Sequence, residues 1–382
     1  NYFLFTRYPT SSEEKLSSFT TFSIVRFTVL AITCVFIAIT NTLSSTSRFH
    51  ILSPTYSPVE AIAGRLVNSL GSATTLTLWI LSKILQKRFE LFIQKMNELD
   101  NKMIVLQYPL DLNREYKDVM VHVSVVCLTY HIVVFTTFPI LSYYSTWVMV
   151  LGFLVIYGIN GPIVTTNHKC ILFIRGVGMR FNALNKHIKT KLLEMNRNER
   201  KISDPELTED LINIARFHSD LMDRVTEINF SFGFHMLLEF SSLFFYEVFS
   251  GFAIYRTIVY FGSPWTCYAV NNVIWGNLHF WTLTYFIRMS YNLKERGEET
   301  GVLIHKFANS LKKPTDDILK RIEFLSQQFQ QRSATVSCGL LCFDWALWYG
   351  FIGATVSLVT LLITFDSAAA TYINITRDSV TP

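Results

Sequence analysis

Charge is scarce in this 382-residue chain: Asp, Glu, Lys and Arg make up 16% of it, against about 25% in ordinary soluble domains. Half of the residues are apolar and 32 are Phe, so a soluble globular domain is excluded and a polytopic, all-α membrane protein is expected. Cysteine is also sparse. Six residues, Cys34, Cys127, Cys170, Cys267, Cys338 and Cys342, are spread along the chain. Cys338 and Cys342 are expected to share a helical face, but two thiols without a nearby His do not make a zinc site, and no metal is expected. The chain has no Gly-x-Ser-x-Gly elbow, no phosphate-cradling loop and no His-Glu-x-x-His, which argues against an enzyme and leaves no cofactor to place. No removable leader is expected, and the first span is expected to serve as its own signal. Nor is there an internal repeat or a pair of broken helices of the transporter kind.

What the sequence does contain is a series of long apolar runs. They fall at about 20–43, 60–83, 118–140, 146–168, 227–255, 266–288 and 343–365, each long enough for a membrane-spanning helix. Seven spans put the two termini on opposite sides. Segments 1–19, 83–117, 169–225 and 288–332 hold twenty-nine of the thirty-four Lys and Arg residues. The opposite set of segments holds only Arg48, Arg256 and Arg377. Positive segments stay in the cytoplasm, so the N-terminus is expected inside and the C-terminus outside. The basic residues follow topology, so no nucleic acid partner is indicated. The four reducing-side cysteines and the isolated Cys267 make a structural disulfide unexpected.

This orientation is opposite to that of a G-protein-coupled receptor, the rival reading for seven spans. Asp223-Arg224-Val225 mimics that class's third-helix motif but precedes the fifth span, and reads as a solvated helix face.

The basic segments carry their own periodicity. Leu85, Phe89, Phe92, Met96 and Leu99 alternate steps of four and three, the seam of a helix that prolongs the second span. Asp204 and Pro205 suit a helix start, followed by Leu207, Leu211, Ile214, His218, Leu221 and Val225 on one face. Thr315 and Asp316 begin a third such helix, with Ile318, Ile322, Leu325 and Phe329, and a weaker seam runs through Phe181, Leu184, Ile188 and Leu192. Four seams need partners, so a packed intracellular helical layer is expected.

In the last span Gly350, Gly353, Ser357, Thr360 and Thr364 recur at steps of three and four. A stripe of small and hydroxyl residues suits close helix packing or a water-filled path; alternatively the hydroxyls bond back to their own helix. Gly339, Phe343 and Asp344 lead into this helix, which ends Ser357-Leu358-Val-Thr-Leu-Leu-Ile-Thr364-Phe365, after the lead-in Phe329-QQRSATVSCG. This run resembles the C-terminal signature TYhhhhhQF of the insect gustatory receptor family. Ser357 stands for Thr, Leu358 for Tyr and Thr364 for Gln, with Phe365 identical.

The resemblance covers the architecture of the whole chain and, residue by residue, about the last forty positions. It implies a ligand-gated, non-selective cation channel in the plasma membrane of chemosensory neurons. Four subunits, as a homotetramer or a heterotetramer with related receptors, would surround a pore lined by the seventh span. Residues 1–382 would form one receptor-channel domain: a ligand-binding bundle with cytoplasmic extensions (20–340), the pore-lining span (341–366) and an extracellular tail (367–382). Ser357, Leu361, Thr364 and Phe365 would ring the pore, with Leu361 and Phe365 as gate candidates and Asp366 as an acidic ring at its mouth. The other reading of Phe365 is an interfacial aromatic anchor. The related insect odorant receptors share the architecture and are the alternative.

Ligand recognition would lie in the outer half of the first six spans. Polar and aromatic candidates there are Arg65 and Asn68, Tyr130 and His131, Trp147 and Tyr157, Tyr246, and Asn271, Asn272, Trp275 and His279. Polar groups at that depth are usually functional, and Asn272, Trp275 and His279 share one helical face. Such a face suits a hydroxylated ligand or a planar alkaloid, so a sugar or a bitter tastant is expected, alongside permeating cations and membrane lipid as partners. Arg65 is expected to pair with Glu60 or a neighbouring helix. Gly158, Gly161 and Pro162 are expected to kink the fourth span. Asn374-Ile375-Thr376 is a glycosylation sequon on the expected outer tail.

Overall fold

A computed structural model describes residues 58–138, 146–196, 204–260, 266–311 and 315–380. The expected first span, 20–43, lies outside them. Among the described residues there are eight helices and no strand. They are α1 (Pro58–Ile84), α2 (Gln86–Val105), α3 (Leu112–Phe135), α4 (Thr146–Asn196), α5 (Asp204–Tyr260), α6 (Thr266–Ser310), α7 (Asp316–Gln331) and α8 (Trp345–Val380).

Length sets the architecture. The 57 residues of α5 extend about 85 Å at 1.5 Å per residue, well beyond a hydrocarbon core of about 30 Å. Helices α4 and α6, with 51 and 45 residues, run antiparallel to it and pack along it. α4 runs unbroken through Pro162. Three described helices are long and apolar enough to cross a membrane: Leu112–Phe135, Pro205–Val259 and Trp345–Ala368.

One end of the bundle, here the polar end, contains α2, α7, the C-terminal halves of α4 and α6, and the N-terminal half of α5. The four seams read from the sequence meet there: Phe92, Met96 and Leu99 of α2, Phe181, Leu184 and Ile188 of α4, Leu207 to Val225 of α5, and Ile318 to Phe329 of α7 are all part of one buried core. A turn at Leu85 separates α2 from α1. His218, buried in this core, packs tilted against Phe329 with ring centroids 4.0 Å apart. Burial, and secondarily the Arg332 charge, pushes its imidazole down to about 4, so it is neutral and acts as a core ring. Arg332 itself pairs with Asp223 at 2.7 Å, and Arg224 with Glu227; the Asp-Arg pair is engaged in local ion pairs.

The stretch before α8 differs from the helical expectation for Cys338 and Cys342. Gly339 adopts φ +82°, a conformation that β-carbon-bearing residues avoid, and Ser337 and Cys342 form an isolated antiparallel bridge. The two thiols therefore flank a tight turn and share no helical face. α8 starts only after Asp344, whose Oδ1 accepts from the Leu347 N–H at 3.1 Å as an N-cap.

This turn is held from both sides. The Asn229 amide of α5 donates to the Thr335 carbonyl and accepts from the Ser337 N–H. A Cβ at Gly297 of α6 would lie 2.6 Å from the Ala334 methyl, so only glycine lets the segment approach α6 this closely. Downstream, α8 continues as helix to Val380, so the segment read as a tail from 367 onward is helical as far as that residue.

Candidate functional site

At the other, apolar end, the sequence candidates converge. Tyr130 of α3 and Trp275 of α6 meet edge to face, with centroids 6.3 Å apart and an interplanar angle of 82°. Trp275 stacks along its own helix on His279, 5.8 Å away, and His279 meets Tyr246 of α5 at 4.9 Å. Val133, Val134 and Val164 close the cluster from α3 and α4. Four rings from three helices are thus locked by packing, and Tyr130, Trp275 and His279 are buried.

Polar contacts fix the orientation of the group. The Trp275 indole N–H donates to Thr137 Oγ1 at 3.3 Å. Asn271 Oδ1 accepts from the hydroxyls of Thr136 and Thr137, tying the end of α3 to α6. The Asn272 carbonyl accepts from Ser250. A Cβ at Gly161 would lie 3.5 Å from the Tyr130 hydroxyl. His131, one residue from Tyr130, is exposed, with Nδ1 2.7 Å from the Cys127 carbonyl; its ring meets that of Tyr130 edge to face at 5.9 Å, at the rim of the cluster. Arg65 and Asn68 lie on α1, Trp147 and Tyr157 on α4, and Asn374 on α8, but their side chains lie outside the described residues.

The last helix presents a different surface. Gly350, Gly353, Ser357, Thr360 and Thr364 are exposed along one face, with Leu361 47% and Phe365 60% exposed. The hydroxyls of Ser357, Thr360 and Thr364 donate to the carbonyls four residues back, at 2.8–2.9 Å. Their bonding capacity is met within the helix, so the stripe is smooth and sterically slight. Asp366 differs from the expectation of an acidic ring on this face. It is 6% exposed and pairs with Arg256 of α5 at 2.7 Å, because the helical rotation from Phe365 turns it toward α5.

Sequence reasoning missed two acids of α5, Glu239 and Glu247, and the buried group around Arg180. The signal for the first was available: they are the only carboxylates between Ile228 and Tyr255, and acids in such a run are rare and functional by default. For the second there was no local signal, since Arg180, Asp100 and Glu115 come from three separate helices. Arg180 Nε and Nη2 donate to Asp100 at 2.9 and 2.7 Å, and Nη1 to Glu115 at 2.5 Å. Burial alone would lower the guanidinium pKa, but the bonds to Asp100 and the charges of both acids outweigh it and hold the group above its usual range. Nearby, Tyr108 of the α2–α3 connection stacks on His187 at 4.2 Å; burial, then Asp210, raises the phenol.

A bundle of this kind, with membrane-length apolar helices and a buried polar-aromatic cluster between them, defines a polytopic membrane receptor fold. Residues 5–369 match the model of the 7tm chemosensory receptors, and the chain belongs to that family. Among solved structures it is similar to the insect olfactory receptor OR5 from Machilis hrabei in complex with eugenol, at 12% identity and a TM-score of 0.68, covering 94% of this chain and 93% of that one. A second structure of OR5 from Machilis hrabei gives 14% identity and a TM-score of 0.62, covering 93% of this chain and 92% of that one. At these identities the likeness speaks for the fold. No curated protein matches. The family and fold are those of membrane receptors rather than enzymes, in agreement with the resemblance read from the C-terminal run.

Proposed function

We propose that the chain is a seven-span subunit of a tetrameric, ligand-gated cation channel that acts as a taste receptor in the plasma membrane of chemosensory neurons. The observation that carries this reading is the exposed face of α8. A membrane helix that buries Trp348 and Phe351 but leaves its small residues and hydroxyls on an open stripe, beside the exposed Leu361 and Phe365, is shaped for a neighbouring copy and a water-filled axis. An odorant-receptor-type channel is the second reading, favoured by the fold shared with OR5 along nearly the full chain.

The polar end, with its buried seams and most of the Lys and Arg residues, is the cytoplasmic end in this reading. The test is labelling of terminal epitope tags on intact cells. Staining of a C-terminal tag, with an N-terminal tag silent until permeabilisation, is the expected result; the reverse pattern would overturn the channel reading and restore a G-protein-coupled receptor.

The ring cluster of Tyr130, Trp275, His279 and Tyr246 is the ligand site in this proposal. Ligand binding there would bias a closed-to-open equilibrium by the difference in its affinity for the two states. Trp275→Ala removes the central ring and is expected to raise the half-activating concentration about tenfold or more, the scale of a buried aromatic hot spot. Dose–response recording of tastant-evoked current reads this directly, and an unchanged curve removes Trp275 from the site.

A further inference from the structure

The two membrane-depth acids of α5 are not equivalent. Glu239 is hydrogen-bonded by the side chain of Asn167. Glu247 Oε1 is sealed from solvent by protein and has no hydrogen-bond partner. Its Oε2 rests over Gly276 of α6, 3.2 Å from the place a Cβ would occupy. Along α6, Trp275 directly precedes Gly276 and His279 lies about one turn beyond it.

A second orphaned group lies at the same level. On α5, Phe244 and Gly251 flank Glu247 by about one turn, and both rest on α8: Phe244 meets Phe351 at 5.6 Å, and a Cβ at Gly251 would lie 3.2 Å from Val359. Thr355 is midway between Phe351 and Val359 on that face of α8. Its hydroxyl is buried and, unlike those of Ser357, Thr360 and Thr364, has no hydrogen-bond partner. The junction of α5, α6 and α8 therefore holds a carboxylate and a hydroxyl, both unsatisfied, beside a stack of rings. Leaving such groups unpaired at membrane depth is costly unless something else supplies the partners.

We propose that this junction is the cationic subsite of the ligand site, taking the protonated amine of an arylalkylamine or alkaloid. An ammonium supplies N–H donors to Glu247 and Thr355 in a charge-assisted bond, and its positive charge is favoured beside the π-faces of Tyr246 and Trp275. A neutral sugar offers the carboxylate no counter-charge. Because Thr355 belongs to the last helix, an amine seated here touches the proposed pore-lining element directly. The inference rests on reading the ring cluster as the ligand site of a chemosensory channel.

The test is direct binding to the full-length receptor in lipid nanodiscs, read by quenching of tryptophan fluorescence. The probes are 2-phenylethylamine, charged at neutral pH, and 2-phenylethanol, its neutral analogue of the same shape. The amine is expected to bind about tenfold tighter or more. Glu247→Gln, which retains shape and removes charge, is expected to abolish that preference, and Glu247→Asp to retain part of it. Equal binding of the two probes, no binding of either, or a preference that survives Glu247→Gln would overturn the proposal. Binding is read without current, so a receptor that discriminates the probes but never conducts would sink the channel reading and leave this subsite standing. Normal tastant-evoked current with no discrimination would sink the subsite alone.

Discussion

Arg180→Met should abolish recovery of folded receptor, or lower the melting temperature of the detergent-solubilised protein by more than any other single change at the polar end. Arg180 is fully buried, and Asp100 and Glu115 are each 5% exposed. Removing the guanidinium leaves two carboxylates without their counter-charge in the core. Breaking a buried ion pair by deleting one partner costs about 3–5 kcal/mol, a large share of the roughly 5–15 kcal/mol that hold a typical domain together.

Arg180→Lys should fare little better. Lysine presents a point charge, whereas Arg180 reaches Asp100 with two nitrogens and Glu115 with a third; a planar fork with five donors is what this geometry requires. The diagnostic variant is the triple substitution Arg180→Met, Asp100→Asn, Glu115→Gln, which should recover much of the lost stability because no unpaired charge remains buried. Thermal challenge followed by fluorescence-detected size-exclusion chromatography measures all three. An Arg180→Met receptor that survives heating like the wild type would show that α2, α3 and α4 are held by apolar packing alone.

The second large effect concerns conduction. Phe365→Ala should give a ligand-independent leak current in cells that express the receptor at normal surface density. Phe365 and Leu361 stand on the open face of α8 beside Ser357 and Thr364. Repeated around an axis, they would form apolar rings that close a narrow path by dewetting, and removing the larger ring lets water and ions through. Whole-cell recording with surface biotinylation in parallel decides it. A silent channel with normal surface density would assign Phe365 to anchoring at the membrane interface instead. Asp366 takes no part in this prediction, since its carboxylate is committed to Arg256.

Elements with a strong local period were legible in the chain. The seams of α2, α5 and α7 were visible because apolar residues at steps of three and four must bury one face, and in the structure Met96, Leu211 and Ile322 do so. The starts of α5 and α7 were visible because Asp204, Pro205, Thr315 and Asp316 carry the chemistry of helix N-termini. In the ligand region, helical spacing put Trp275 and His279 on one face. It could not say that Tyr130 would be buried against that face while His131 stayed exposed at its rim, because this depends on how α3 is rotated against α6.

The sequence by itself determined that this is a helical membrane protein with long seams beyond its apolar runs, since composition and period act on each segment independently of the rest. Only tertiary structure decided which charges are buried together and which polar groups are left without partners. Arg180, Asp100 and Glu115 are ordinary surface residues until three helices converge, and Glu247, one of two acids in an apolar run, is set apart from Glu239 only when α6 offers it a glycine and no donor. Tertiary structure also turned Asp366 toward α5 and bent the chain at Gly339, because a helix rotation of one residue, or one positive φ, decides which neighbour a side chain meets.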